Sequence, residues 1–260
     1  LDIQKYLDRI NYHGSLERTL DTLQALHEAH LLAVPFENLS IHCGREIHLD
    51  EAALFTKIVE NRRGGFCYEL NGLFGALLAA LGYQVSLLSA GVARSAGGFG
   101  PAFDHLALLV HLTEDWLVDV GFGDSFLRPV QITEAFEQIQ GERAYRFERS
   151  GDYWVLQYRE DTWQSSYRFT LHPYELADFV ERCHFHQSSP ESHFTQKQVC
   201  TLATSSGRVT LSEQRLIVTT GEERQERLLK NRDEYLATLA EQFGIFLSLE
   251  DGKNLTRNLL

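Results

Sequence analysis

Apolar positions recur at helical spacing through the first third of the chain and switch to strand-like runs from about Gln84 onward. Ile3, Tyr6, Leu7 and Ile10 share one helical face. A second stripe, Leu16, Leu20, Leu23 and Leu26, predicts a helix that starts after Ser15 as its N-cap and is broken at Pro35. A third helix is expected after Asp50, carrying Ala53, Leu54, Phe55, Ile58 and Val59. The fourth is read from Leu70, Leu73, Phe74, Leu77, Leu78 and Leu81, with Gly82 as a left-handed stop. These four predict a small α-helical bundle over residues 1–83.

Beyond it, Val85–Val92, His105–Leu112, Trp116–Val120, Tyr153–Tyr158 and Trp163–Leu171 are rich in β-branched and aromatic residues, as expected of strands in a sheet or small barrel. The last third predicts two further strands, near Val209–Leu211 and Leu216–Thr219. A helix is expected from Asn231 to about Phe243. Ala96-Gly97-Gly98-Phe99-Gly100-Pro101 is expected to be a loop; no Gly-Lys-Ser/Thr follows it, so it does not qualify as a phosphate loop.

A formal net charge of −12 argues against nucleic acid or an anionic membrane as the main partner, since both call for a concentrated basic face. No apolar run reaches the length of a membrane span, and Leu1-Asp2-Ile3-Gln4-Lys5 lacks the profile of a signal peptide. With no methionine in the chain, Cys43, Cys67, Cys183 and Cys200 hold all its sulfur, and their spacing suggests neither a disulfide framework nor a zinc knuckle. A reducing, cytoplasmic setting is the expectation.

One of these cysteines stands apart. Arg62-Arg63-Gly64-Gly65-Phe66-Cys67-Tyr68-Glu69-Leu70-Asn71-Gly72 places Cys67 where a glycine-rich loop turns into the fourth helix. Amide N–H groups at a helix start lack intrahelical partners and the macrodipole is positive there, which favours a thiolate. Gly64 and Gly65 are expected to let the chain turn sharply. The plainer alternative is a buried structural cysteine.

A nucleophilic cysteine needs a base and a group that orients the base. Among 11 histidines, His105 opens an apolar strand, and Asp119 sits in the returning strand, where an unpaired charge would be costly. His105 and Asp119 are 14 positions apart, so they share a face of the hairpin only if the turn has an odd number of residues, such as one around Thr113-Glu114-Asp115, or a bulge intervenes. Otherwise Asp119 merely caps a turn and His105 ends a strand.

Five stretches together resemble the arylamine N-acetyltransferase family over essentially the whole chain. They are Val34-Pro35-Phe36-Glu37-Asn38-Leu39, Arg63 to Asn71, His105-Leu106, Val118-Asp119-Val120-Gly121-Phe122-Gly123 and Ser189-Pro190-Glu191-Ser192-His193-Phe194. The resemblance implies an α+β fold with an N-terminal helical bundle (1–83), a central β-barrel (84–188) and a C-terminal α/β lid (189–260). It also implies a papain-like triad of Cys67, His105 and Asp119. The implied reaction is a ping-pong acetylation of arylamines and arylhydrazines by acetyl-CoA, through a thioester on Cys67. Phe36, Phe122 and Phe194 match positions that line the acceptor pocket, and Gly121 and Gly123 match a loop beside CoA. Arg63, Glu37 and Asn38 are read as a brace for the cysteine loop.

A CoA-independent amide synthase of the same family, or a papain- or transglutaminase-like thiol hydrolase, would use the same three residues. Cys183 departs from the asparagine often found there. A metal at Cys183-His184-Phe185-His186 is not expected, because no full ligand set is present and adjacent strand residues point apart.

Overall fold

The computed structural model describes residues 1–257. Its helices are α1 (Ile3–Arg9), α2 (Leu20–Ala33), α3 (Leu39–His42), α4 (Glu51–Phe55), α5 (Cys67–Ala80), α6 (Val180–Ser188), α7 (His193–Gln196), α8 (Arg232–Phe243) and α9 (Leu249–Thr256). The strands are β1 (Phe36–Glu37), β2 (Gln84–Val92), β3 (His105–His111), β4 (Asp115–Val118), β5 (Val130–Gln131), β6 (Gln138–Gln140), β7 (Arg143–Ser150), β8 (Tyr153–Arg159), β9 (Trp163–Tyr174), β10 (Val199–Thr204), β11 (Gly207–Ser212), β12 (Arg215–Thr220) and β13 (Glu223–Leu228).

The expected helices form, with local corrections. α2 is capped by Thr19, whose side chain accepts from Thr22 N–H, whereas Ser15 Oγ accepts from Glu17 N–H in the preceding turn and leaves Leu16 exposed. The helix after Asp50 continues from α4 into one π-helical turn, Thr56–Glu60. α5 ends at Ala80 with Leu81 as its C-cap, and Gly82 follows at φ +87°, as a left-handed stop requires. Leu70, Leu73, Phe74, Leu77 and Leu78 of α5 are buried against Leu106, Leu108 and Val110 of β3, which ties the bundle to the sheet.

Among the described residues the strands form two antiparallel sheets. The larger runs β5-β4-β3-β2-β9-β8-β7-β6 and curls into a nearly closed barrel around Leu88, Ala107, Leu109, Leu117, Phe147, Leu156, Tyr167 and Phe169. Side chains bridge its two edge strands. Gln138 exchanges two hydrogen bonds with the Gln131 backbone, and Gln140 does the same with Arg128, so their amides substitute for ladder bonds. The smaller sheet runs β1-β10-β11-β12-β13 and is covered by α8 and α9 through Leu211, Leu216, Tyr235, Leu239 and Phe243. β1 comes from the stretch between α2 and α3, so the amino-terminal region contributes a strand to the carboxy-terminal sheet.

β13 escapes the hydrophobic pattern because it is polar: every residue of Glu223–Leu228 is exposed. Cys183, His184 and His186 lie on α6, a helix where strand geometry was assumed.

Candidate active site

The hairpin of β3 and β4 meets the parity requirement. His111 pairs with Asp115 across the three residues Leu112, Thr113 and Glu114, so the turn has an odd count and residues 105, 107, 117 and 119 fall on one face. That face is the barrel interior, where Ala107 and Leu117 are buried. At the rim, His105 Nε2 donates to Asp119 Oδ2 at 2.7 Å, and both groups are buried, 3% and 1% exposed.

Asp119 is saturated with donors. Oδ2 also accepts from Tyr167 Oη at 2.9 Å, while Oδ1 accepts from Asn71 Nδ2 at 2.8 Å and from Gly121 N–H at 3.0 Å. Burial pushes this carboxyl up, but the His105 charge and these hydrogen bonds outweigh burial and hold it below its ordinary value. For His105, burial disfavours the charged ring, but the Asp119 carboxylate and then the Cys67 sulfur outweigh it and raise the imidazole to about 10. Since Asp119 engages Nε2, Nδ1 is the ring nitrogen left for a second partner.

Cys67 is the first residue of α5 and is 3% exposed. The helix starts there because Phe66 C=O accepts from Glu69 N–H and Leu70 N–H, while the Glu69 carboxylate folds back onto Phe66 N–H at 3.2 Å. Lys57 pairs with Glu69 at 2.7 Å. A Cβ on Gly64 would lie 1.9 Å from Pro35 O, and one on Gly65 would lie 2.7 Å from Glu69 Oε2. The two glycines therefore serve close approach, and the left-handed residue that turns the chain is Arg62, at φ +51°. Glu37 N–H donates to Gly65 O, and the Glu37 carboxylate binds Arg63 Nη2 at 2.8 Å and Leu39 N–H. Asn38 instead reaches Phe194 O, Lys197 O and Val199 N–H, fixing the segment that carries Phe194.

The three phenylalanines from the sequence surround this cluster, each half-buried. Phe122 meets the His105 ring edge-on at 5.2 Å, Phe194 meets Phe66 edge-on at 5.6 Å, and Phe36 lies against Phe194 at 6.2 Å. The glycines of the adjacent loop differ from one another. The space beside Gly121 is filled: a Cβ there would lie 2.7 Å from Cys67 Cα and 2.8 Å from Asn71 Nδ2, so its bareness serves close packing on α5. Gly123, at φ +93°, faces Phe36 and Thr201 at ordinary contact distance, and Arg208 donates to its carbonyl.

Gly121→Ala is expected to cost about 1–3 kcal/mol through overpacking against backbone that cannot yield. A lowered unfolding midpoint together with reduced turnover is the checkable result.

Tyr167 and Asn71 escaped the sequence reading, although Asn71 had a signal: it lies four residues after Cys67, hence on the same helical face. A buried group beside the site, His186, bridges Ser192 Oγ (3.1 Å from Nδ1) and Asp104 Oδ1 (3.1 Å from Nε2), joining the Phe194 segment to the residue that precedes His105. Among the described residues no cluster of three potential metal ligands occurs, and no helix is long and apolar enough to cross a membrane. The arrangement is suited to acyl transfer: a sulfur nucleophile, an imidazole that can hold its proton, and a carboxylate fixed by four donors.

Residues 19–252 match a family model described as N-acetyltransferase. The chain is 36% identical over 257 residues to an arylamine N-acetyltransferase of Escherichia coli (strain K12), covering 97% of this chain and 91% of that one. It is 35% identical over 253 residues to one of Mycobacterium tuberculosis (strain ATCC 25618 / H37Rv), covering 94% and 89%. Among solved structures, an arylamine N-acetyltransferase of Mycobacterium marinum superposes with a TM-score of 0.92 at 32% identity, over 100% of both chains. The Mycobacterium marinum enzyme in complex with CoA gives 0.91 at 32% identity, again over 100% of both chains.

Proposed function

Because the chain belongs to the arylamine N-acetyltransferase family, and is therefore an acyltransferase, we propose that it acetylates arylamines and arylhydrazines from acetyl-CoA by a ping-pong route through Cys67. The Cys67 sulfur attacks the thioester carbonyl, the tetrahedral oxyanion collapses, and CoA leaves as a thiol with the proton that His105 held. The acceptor amine then attacks the acetyl-cysteine, gives its proton to His105 as the nitrogen–carbon bond forms, and expels the Cys67 thiolate. Asp119 holds His105 with Nδ1 toward sulfur and steadies the imidazolium in both halves. Amide N–H groups at the start of α5 are suited to the oxyanion.

Phe122, Phe194 and Phe36 would receive the acceptor ring, since flat apolar faces bury it with little loss of side-chain freedom. Gly123 would border the CoA path, where a bare backbone admits close approach. The division into bundle (1–83), barrel (84–188) and lid (189–260) belongs to the same proposal, with β1 crossing it. Cytoplasmic residence fits four free thiols, all buried.

The observation that carries this reading is the Asp119–His105 bond at 2.7 Å, with the Cys67 sulfur among the influences that raise the ring. Wild-type protein given acetyl-CoA alone should release CoA in a burst and gain one acetyl group on Cys67; adding an aniline or a hydrazine should restore steady CoA release. Hydrolysis of peptides without amine-dependent CoA release would instead indicate a thiol hydrolase.

A further inference from the structure

β4 ends at Val118, and the chain from Asp119 to Leu127 then runs without regular structure while carrying the carboxylate, Gly121, Phe122 and Gly123. Such a stretch needs external restraint if a carboxylate is to stay within hydrogen-bond reach of an imidazole. Asn71 Oδ1 accepts from Val120 N–H at 2.9 Å, and Arg208 donates to Gly123 O. Neither holds the stretch at both ends.

His27, on α2, does. Its Nε2 lies 3.2 Å from Asp119 N and its Nδ1 lies 2.8 Å from Leu127 O. A backbone amide can only donate and a carbonyl can only accept, so the ring must carry its proton on Nδ1 and leave Nε2 bare. Stacking on Phe126 at 5.6 Å and 15°, with Phe74 edge-on at 6.1 Å, fixes the ring plane, and the side chain is fully buried. Burial, the largest influence, lowers its pKa to about 4 even though Leu127 and Asp119 pull the other way, so the ring is neutral at pH 7, as the amide contact demands.

We infer that His27 is a positioning residue for the acyl-transfer step: one neutral imidazole that ties both ends of the Asp119–Leu127 segment to α2, and so sets the carboxylate on His105 and Phe122 against the same ring. This rests on the Cys67–His105–Asp119 reading. It makes α2, which contributes no reacting atom, one of the elements that set where the carboxylate stands, beside the donors on α5 and β9.

The test compares His27→Phe, which keeps a flat ring and removes both contacts, with His27→Gln, which keeps one acceptor and one donor. For folded enzyme, His27→Phe should lower both the rate constant for Cys67 alkylation by iodoacetamide and kcat for CoA release with an aniline acceptor, the latter by about 10²-fold, the usual penalty for misplacement of about 1 Å. His27→Gln should recover part of both. A merely structural histidine would lower the unfolding midpoint and leave the alkylation rate of the folded enzyme alone, so wild-type alkylation and turnover in His27→Phe would overturn the inference. If His27→Phe does not fold, nitrogen NMR of the wild-type ring decides. A neutral, Nδ1-protonated His27 at pH 7 supports the inference, and an Nε2-protonated ring or an imidazolium overturns it. Absence of CoA release by the wild type would sink the acetyl-CoA reading while leaving the alkylation comparison readable.

Discussion

Asp119→Asn is expected to lower kcat by on the order of 10⁴-fold in a protein that still folds. Four donors converge on the carboxylate, from Asn71, Gly121, His105 and Tyr167. An asparagine offers one oxygen and one NH₂, so two of the four donors lose their acceptor whichever way it is turned. With the oxygen toward Asn71 and Gly121, the NH₂ faces His105 Nε2 and the Tyr167 hydroxyl, both of which can accept. His105 then carries its proton on Nδ1, against the sulfur, and no base remains. The opposite orientation sets NH₂ against two N–H groups and is worse. Acetyl-CoA-dependent acylation of Cys67 followed by mass, with circular dichroism as the fold control, checks the result; acylation within tenfold of wild type would remove Asp119 from its role.

The same pair makes stability depend on pH in a defined direction. His105 is raised from 6.5 to about 10, so its contribution is complete below 6.5 and is lost as pH rises through about 10. Asp119 is lowered from 3.8, so its contribution is present above 3.8 and is lost as pH falls through its folded value. In Asp119→Asn the carboxylate is gone and burial governs the ring, so the alkaline loss should vanish from a plot of denaturation midpoint against pH. Persistence of that loss in the variant would show that another group carries it.

The residues proposed to carry the chemistry are legible because each violates its local pattern. Cys67 interrupts a glycine-rich loop at a helix start, and Asp119 is a charge in a run of buried apolar residues. The 14-residue spacing of His105 and Asp119 allows them one face only with an odd turn or a bulge; the register itself depends on Leu112 joining Thr113 and Glu114 in the turn. What stayed hidden depends on long-range partners. Tyr167 reads as an ordinary strand aromatic and His27 as a histidine on a helix, until β9 and α2 are brought beside Asp119. Thr19 outcompeted Ser15 as a cap although the two residue types rank closely, because Ser15 serves the turn at Glu17. Polar strands such as Glu223–Leu228 carry no apolar alternation and become strands by pairing with β12.

Cys67→Ala is expected to abolish the acetyl-enzyme and to lower turnover by at least on the order of 10⁴-fold, while costing little stability. The side chain removed is small, so the loss of packing should fall near 1 kcal/mol. No other thiol is placed to substitute for it. Cys43 is pushed up to about 11 chiefly by burial, and burial likewise raises Cys183 and Cys200, so all three stay protonated at neutral pH and lack an imidazole partner. Cys67 alone adjoins His105. One equivalent of iodoacetamide should therefore label the wild type at Cys67 and leave Cys67→Ala unlabelled over the same interval. Cys183→Ala provides the control: it removes a buried sulfur of the same core and should keep both the label and the acetyl adduct. Cys67→Ser separates nucleophilicity from shape, since the hydroxyl fits the space but holds its proton far more tightly than sulfur does. It should fold like the wild type and remain unacetylated by acetyl-CoA, and an acetyl group found on Cys67→Ala would assign the nucleophile to another residue.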